Sequence, residues 1–352
     1  MSVLNRASPS TVLPDAATTP RPSACPGLLR IVAARDGGIC RIKLPGGVLN
    51  APQARAIADA STRHASGVME LTNRANLQLR GVREGHEPAL SAALIRAGLG
   101  PASIASSASA ANGANHVSAA PSYADDVRNV MISPAAGRDP YALIDTAPLC
   151  DDLLALLQSD ARCAALSPKF ALLVDGGERL ARIDHPHDVW LAASADADEI
   201  RFVFGLAGCP GPSSNIGDAG DANPNGTGAL AAVSPSQVLA LVRALLHTFV
   251  DLATADTTRM RDLLATHCAD ALLLHAQRYI DFPLTRDATL HDWQRPQRAD
   301  ASLRVGAHPQ REAGLSHVGG QPPLGRLDAA ALRRLAGLAQ RHGNGMLHVT
   351  PW

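Results

Sequence analysis

Two periods of apolar residues run through this chain, one of two residues and one of three to four, and they separate strands from helices. The runs LLRIVAA (28–34) and GICRIKL (38–44) flank Asp36-Gly37-Gly38, a composition suited to a β-hairpin turn. NAPQARAIADASTRHA (50–65) follows, with Asn50 as a candidate N-cap and Pro52 in the first turn of a packed helix. In ELTNRANLQLRGV (70–82), Leu71, Ala75, Leu77 and Leu79 fall on one side, while Glu70, Thr72, Arg74, Asn76, Gln78 and Arg80 fall on the other. That is the period of a half-buried segment, split near Arg74 into one or two strands. The helix-like EPALSAALIRAGLG (87–100) completes a β-β-α-β-β-α order, an α+β layer. Further on, 234–252 has Ser234 as a possible N-cap and apolar residues from Leu239 to Val250 at helical spacing, which suits core packing.

Three low-complexity stretches divide these elements. Residues 1–22 read as a disordered tail, 103–122 as a small-residue linker, and 210–228 as a flexible Gly/Asn/Asp/Pro loop. A first domain is therefore expected at 23–102, a central α+β domain at 123–295 interrupted by the loop, and a further segment at 296–352.

That last segment repeats the first domain. Shifting the sequence by 278 lays residues 45–72 on 323–350 without a gap, with ten of 28 positions identical. Pro45/Pro323, Gly47/Gly325, Arg55/Arg333, the Arg63-His64/Arg341-His342 pair, Gly67/Gly345 and Thr72/Thr350 are among them. Alanine richness does not preserve such a set. The second repeat should form a helix followed by a strand and share a sheet with the first. It stops two residues past the equivalent of Thr72, as though truncated.

Composition narrows the function classes. Lys+Arg and Asp+Glu balance at 32 each, which leaves no overall basic field for nucleic acid. No apolar run approaches the ~20 residues of a membrane span, and the N-terminus lacks a secretion-signal pattern, so a cytoplasmic protein without membrane partner is expected. Six widely spread cysteines include no C-x-x-C pair, which argues against a disulfide framework or a zinc site. The DGG runs at 36–38 and 175–177 lack phosphate-loop spacing and read as turns.

The candidate chemistry is cationic. Arg128 in DDVRNVMISPAAGRDP stands beside a short apolar strand, and Lys169 in LSPKFALLVDGG, one of only two lysines, stands at the entrance to another. With Arg74 they suggest a pocket for carboxylates, since guanidinium forks bind carboxylate bidentately. In IDHPHDVW, His185 and His187 point the same way if extended, and Asp184 or Asp188 could complete a two-His-one-carboxylate iron site. The alternative there is a Pro-containing turn whose histidines only hydrogen-bond.

The segments TNRANLQLRGV, DDVRNV and SPKF resemble successive signatures of the nitrite/sulfite reductase family. Members of that family alternate ferredoxin-like half-domains with larger α+β domains by internal duplication. A narrower similarity, carried by RPSACPGLLRIVAARDGGICRIKLPGG, NRANLQLRGV, SPKFALLVDGGERLARIDHPHDVWLAA and PPLGRL…LHVTPW, is to the precorrin-3B synthases, the family's oxygen-using branch in aerobic cobalamin biosynthesis. The resemblance implies a monooxygenase that hydroxylates precorrin-3A with O₂ and closes a lactone, with an electron donor such as NADH. It assigns tetrapyrrole binding to Arg74, Arg128 and Lys169, with Asn76 and Arg80 on the same polar face. It also implies a [4Fe-4S] cluster, whose paired cysteines are absent from this chain, and a mononuclear non-haem iron at His185 and His187. The alternatives are a siroheme-dependent sulfite or nitrite reductase-like protein, or a non-catalytic tetrapyrrole-binding remnant. One departure from the reductases is Ala171, where they usually carry a second lysine; a site with one cation fewer favours a porphyrinoid over an inorganic anion.

Overall fold

The structure is a computed structural model that describes residues 25–101, 123–196, 199–210 and 227–352. The expected tail and linker, and most of the loop at 210–228, lie outside the described residues.

In the N-terminal layer, β1 (Val32–Ala34), β2 (Gly37–Ile42), β3 (Val48–Asn50), α1 (Ala51–His64), β4 (Val68–Leu71), β5 (Leu77–Val82) and α2 (Glu87–Arg96) follow in order. The expected hairpin forms, with Ala34 paired to Gly37. Asn50 caps α1: its side chain accepts from the Gln53 amide (2.8 Å) while the Gln53 side chain accepts from the Asn50 amide (3.1 Å). The stretch from Glu70 to Val82 is two strands, with Glu70 opposite Gln78 and Leu71 opposite Leu77. Ala75, in the left-handed region at φ 56°, turns the chain between them.

A central sheet has the order β10-β9-β8-β7-β6, built from β6 (Val130–Met131), β7 (Leu172–Asp175), β8 (His187–Asp196), β9 (Glu199–Gly208) and β10 (Ala231–Val233). The β6·β7 and β7·β8 pairs are parallel, and the remaining pairs antiparallel. Around it lie α3 (Tyr123–Asp126), α4 (Ala147–Ser159), α5 (Val238–Leu252), α6 (Met260–Leu264) and α7 (Ala269–Ala276). Helix α5 buries Leu241, Val242, Leu245, Leu246 and Phe249 in the core of this layer, the packing role its periodicity implies. It is preceded by a short 3-10 turn at Pro235–Gln237, so Ser234 caps that turn and not α5 itself.

The C-terminal segment returns to the first layer. It contains β11 (Gly306–Pro309), β12 (Ser316–Gly319), β13 (Arg326–Asp328), α8 (Ala329–His342) and β14 (Met346–His348). Strand β13 joins the N-terminal sheet, whose order is β1-β2-β5-β4-β13, while β14 pairs with β3. The two pairings are reciprocal. Arg326, Leu327 and Asp328 face Glu70, Met69 and Val68; subtracting and adding 278 gives Val48, Leu49 and Asn50 facing His348, Leu347 and Met346, the register of the other pair. Hydrogen bonds obey the same exchange: Ala51 N donates to Gly345 O (2.8 Å) and Ala329 N to Gly67 O (2.9 Å). Helices α1 and α8 pack together, and Ala329, Leu332, Ala336 and Val349 enter the same core as Leu49, Ile57 and Met69. The repeat is thus a local two-fold, expressed as strand exchange between its halves.

Candidate functional site

A cleft enclosing about 370 Å³, its open mouth included, lies where the two layers meet. Six chain segments line it. The turn after β4 supplies Arg74 and Asn76, the end of β2 supplies Leu44, and the α3–β6 connection supplies Arg128 and Asn129. The approaches to β7 and β8 supply Ala171, His185, Pro186 and His187, and Arg259 comes from the residue before α6.

The polar groups in the lining divide into anchored and unanchored. Asn129 is anchored, its Nδ2 donating to Pro168 O (2.9 Å) and Phe170 O (3.0 Å). Asn76 Oδ1 accepts from Leu44 N (2.8 Å), which fixes the turn after β4 against the end of β2. Arg128, 7% exposed, donates through Nη1 to Leu99 O (2.8 Å) and pairs with Asp125 at 3.5 Å, yet its buried Nε has no acceptor among the described residues. Arg259 Nε reaches both oxygens of Asp188 at 2.9 Å. The Arg74 guanidinium has no acceptor among the described residues. Burial, then the nearby Arg259, lowers its pKa from the ordinary arginine value. Two of the three guanidiniums are thus neutralised by carboxylates and one is not, so the cleft carries excess positive charge.

The histidines are neutral. Burial, then His185, pushes His187 down to about 3, and its Nδ1 donates to His185 O at 2.8 Å. Its Nε2 therefore carries the lone pair. The expected iron site does not form around it. Asp188 receives Ala171 N (2.8 Å) and Met260 N (2.7 Å) besides Arg259, and Asp184 pairs with Arg182 at 2.6 Å. Both carboxylates that could complete a facial triad are committed to other groups, and no cluster of three His, Cys, Asp or Glu side chains suited to a metal occurs among the described residues. The His-Pro-His turn is held by hydrogen bonds, the other reading of that segment.

Of the residues picked out from sequence, Arg74, Asn76, Arg128, His185 and His187 meet in the cleft. Lys169 does not line it: its side chain is exposed. Arg80 lies on the outer face of β5, forked onto Asp36 (2.9 Å to each oxygen) and 3.5 Å from Glu70. Two residues escaped sequence reasoning, Lys43 and Arg259. Lys43, 3% exposed, donates to Asp126 O and to Pro168 O (3.4 Å) behind the cleft, and burial lowers its pKa to about 8. Arg259 and Asp188 form their pair across 71 residues. The signal for Arg259 was the Thr258-Arg259 helix start, where Asp262 Oδ2 receives both amides (3.0 and 2.9 Å).

The donor set suits an anionic group: the Arg74 guanidinium, with no acceptor among the described residues, faces a cleft whose lining mixes apolar side chains with Asn76, Asn129, His185 and His187. It does not suit an iron-sulfur cluster. Cys40, Cys150 and Cys163 are buried in separate places, and burial pushes the thiols of Cys150 and Cys163 up to about 12, which disfavours the thiolate a cluster needs.

A duplicated sheet layer against a central α+β domain, with a cationic cleft at their junction, defines an α+β protein of nitrite/sulfite reductase type. Residues 33–97 and 308–352 match the nitrite/sulfite reductase ferredoxin-like half domain, and residues 123–280 match the nitrite and sulphite reductase 4Fe-4S domain. The chain is therefore built from the domains of the nitrite/sulfite reductase family. It is 28% identical over 88% of its length to the chloroplastic ferredoxin–nitrite reductase of Zea mays, and 28% identical over 56% to a precorrin-3B synthase of Sinorhizobium sp. The Mycobacterium tuberculosis NirA structure superposes with a TM-score of 0.67 at 19% identity, covering 90% of this chain and 52% of that one. The chain spans about half the length of the plant relative, 51%, and 38% of the precorrin-3B synthase. No described helix is long and apolar enough to cross a membrane.

Proposed function

We propose that the chain holds a carboxylated tetrapyrrole in this cleft and belongs to an oxidoreductase of the siroheme-dependent nitrite or sulfite reductase kind, served by ferredoxin. The observation that carries the reading is the Arg74 guanidinium, brought beside Arg128 and Arg259 from a distant segment and without an acceptor among the described residues. The ferredoxin–nitrite reductase relatives match over more of the chain than the precorrin-3B synthase does, so they support the reductase over the monooxygenase first expected.

The bound group would supply the redox-active iron. The protein's own residues do the rest: Arg74 and Arg128 would donate to carboxylate arms and fix the ring's orientation. Asp188 holds Arg259 at the cleft wall. The neutral His187, buried at its floor, presents an acceptor and no positive charge.

One observation favours a second reading. Ala171 lines the cleft where the reductases usually carry a lysine, and its amide is fixed on Asp188 at 2.8 Å. A precorrin-3B synthase acting on precorrin-3A with O₂ and NADH needs no extra cation for an inorganic anion. Titration of a uroporphyrin-type ligand against the wild type, Arg74→Ala and Lys169→Ala tests the cleft. Arg74→Ala should weaken binding by about 1–3 kcal/mol, with less effect at high salt, and Lys169→Ala should leave it unchanged. Equal affinity for all three proteins would refute the assignment. Nitrite-induced change in the visible spectrum of the siroheme-loaded chain would support the reductase over the synthase.

A further inference from the structure

Two histidines outside the cleft converge on one point. His64 is the last residue of α1 and His86 the residue before α2, with β4 and β5 between them in the chain. Backbone hydrogen bonds fix both: Arg83 N donates to His64 O (3.0 Å), His86 N to Arg83 O (3.0 Å) and Leu90 N to His86 O (2.9 Å). The Arg83 guanidinium adds a clamp, donating through Nη1 to Ala65 O (3.2 Å) and through Nη2 to Arg63 O. Held in this way, the two rings lie with centroids 5.4 Å apart and planes at 55°, and their Nδ1 atoms face each other at 3.1 Å. Neither residue lines the cleft.

A single proton serves that contact, one Nδ1 donating and the other accepting. A metal ion fits the same place. Metal–nitrogen bonds of histidine sites are about 2.0–2.1 Å long, and two such bonds to nitrogens 3.1 Å apart enclose an angle of about 100°. That value falls between octahedral and tetrahedral geometry, so the pair is spaced for two adjacent coordination positions with the backbone as it stands. Burial, then His86, Arg63 and Arg83, lowers the His64 pKa, which weakens competition from protons at neutral pH.

We propose that His64 and His86 form an open-sided site for a divalent d-block metal ion, bound through Nδ1 of each ring. The donor set selects the metal class. No cluster of three His, Cys, Asp or Glu side chains suited to a metal occurs among the described residues, so water or a small anion completes the coordination sphere. Two imidazoles are too few for a closed structural zinc site, and magnesium and calcium take oxygen ligands. Copper(II) binds such a pair most tightly, ahead of nickel(II) and zinc(II). Arg63 and Arg83 act on His64 through their charge, so they oppose a bare dication and favour one that brings hydroxide or chloride as a further ligand. The bound ion ties the end of α1 to the start of α2.

The probes are the metals themselves, nickel(II) followed by calorimetry and copper(II) by EPR, each titrated into the full chain. One nickel site of micromolar affinity is expected that both His64→Gln and His86→Gln weaken at least about tenfold, because loss of either ring turns a chelate into a single bond. The copper spectrum should show two nitrogen ligands at this site, reduced to one in either variant. His308→Gln, in the other close histidine pair, His308 and His317 at 5.3 Å between centroids, should leave the site unchanged. His64 and His86 are only half-buried, and equal thermal midpoints of the metal-free wild type and variants would exclude misfolding as the cause. Absence of saturation up to about 1 mM metal, binding indifferent to both substitutions, or a loss confined to one of them would overturn the proposal.

Discussion

Gly47 and Gly325 hold the same place in the two halves of the repeat, and both adopt left-handed backbone, at φ 71° and 65°. A Cβ on Gly47 would overlap the carbonyl oxygen of Val349, whereas a Cβ on Gly325 would meet nothing nearer than Leu71 O at 3.8 Å. Identical sequence here serves different needs. The first half is pressed against the chain that returns to it, with Val349 N donating to Gly47 O at 2.8 Å, while the second half has room. A repeat preserves the backbone path; coverage is decided by what each half has beside it.

The contrast is sharpest at those glycines. Gly47→Ala should lose more than about 3 kcal/mol, because backbone must move, and should make residues 323–352 protease-sensitive; Gly325→Ala should lose about 1 kcal/mol, for the left-handed φ alone. Equal losses in urea denaturation would break the comparison. Next, Ile57→Ala should cost about 2–4 kcal/mol, whereas the equivalent Leu335→Ala should stay below about 1 kcal/mol, since it empties no enclosed space.

A third pair of expectations concerns pH. Lys43 holds its proton in the folded state only to about 8, against an ordinary 10.5, so between these values the unfolded chain binds more protons and stability rises with pH. His348, buried and pushed down to about 4 from 6.5, acts in another window: stability falls as pH drops from 6.5 toward 4. Each effect should be on the order of 1–3 kcal/mol in the denaturation midpoint. Lys43→Met should flatten the alkaline rise, and His348→Gln should remove part of the acid fall, leaving the part due to His187. An acid limb that His348→Gln leaves untouched would place the titration elsewhere. The smallest effect is expected between the helices. Arg333 reaches both Asp59 (2.8 Å) and Thr62 (3.2 Å), whereas among the described residues its equivalent Arg55 reaches Gln340 alone. Arg333→Ala should therefore exceed Arg55→Ala by less than about 1 kcal/mol in a double-mutant cycle with Asp59→Ala.

The repeat was legible because its constraints are local. Asn50 and Asp328 cap equivalent helices, and Gly67 and Gly345 turn equivalent corners at φ 80° and 78°. Each of these leaves a mark within a few residues. The site was legible only in part. Arg74 and Arg128 drew notice as cations beside strands, and the family resemblance brought them together. That Lys169 would point outward, two residues after a Ser167-capped turn, depends on tertiary packing that no periodicity encodes. Asp188 looked like a metal ligand in a His-Pro-His-Asp string, but Ala171 and Met260, from distant segments, need its oxygens for their amides. Lys43 looked like one polar position in an alternating strand; the carbonyls that receive it lie 83 and 125 residues away.

The strand exchange between the halves also sets a clock. Strands β3 and β4 find their partners in β14 and β13, more than 250 residues later. At ribosomal speeds of about 5–20 residues per second, the first half waits on the order of 15–55 s before either edge can be satisfied. During that interval a nascent chain carries an unpaired β3, and a β4 joined to β5 through one edge only, on a half-built core. Emergence of residues 323–352, and not completion of the central sheet, is then the event that closes the N-terminal layer, and a nascent chain stalled before β13 should be the form that chaperones retain.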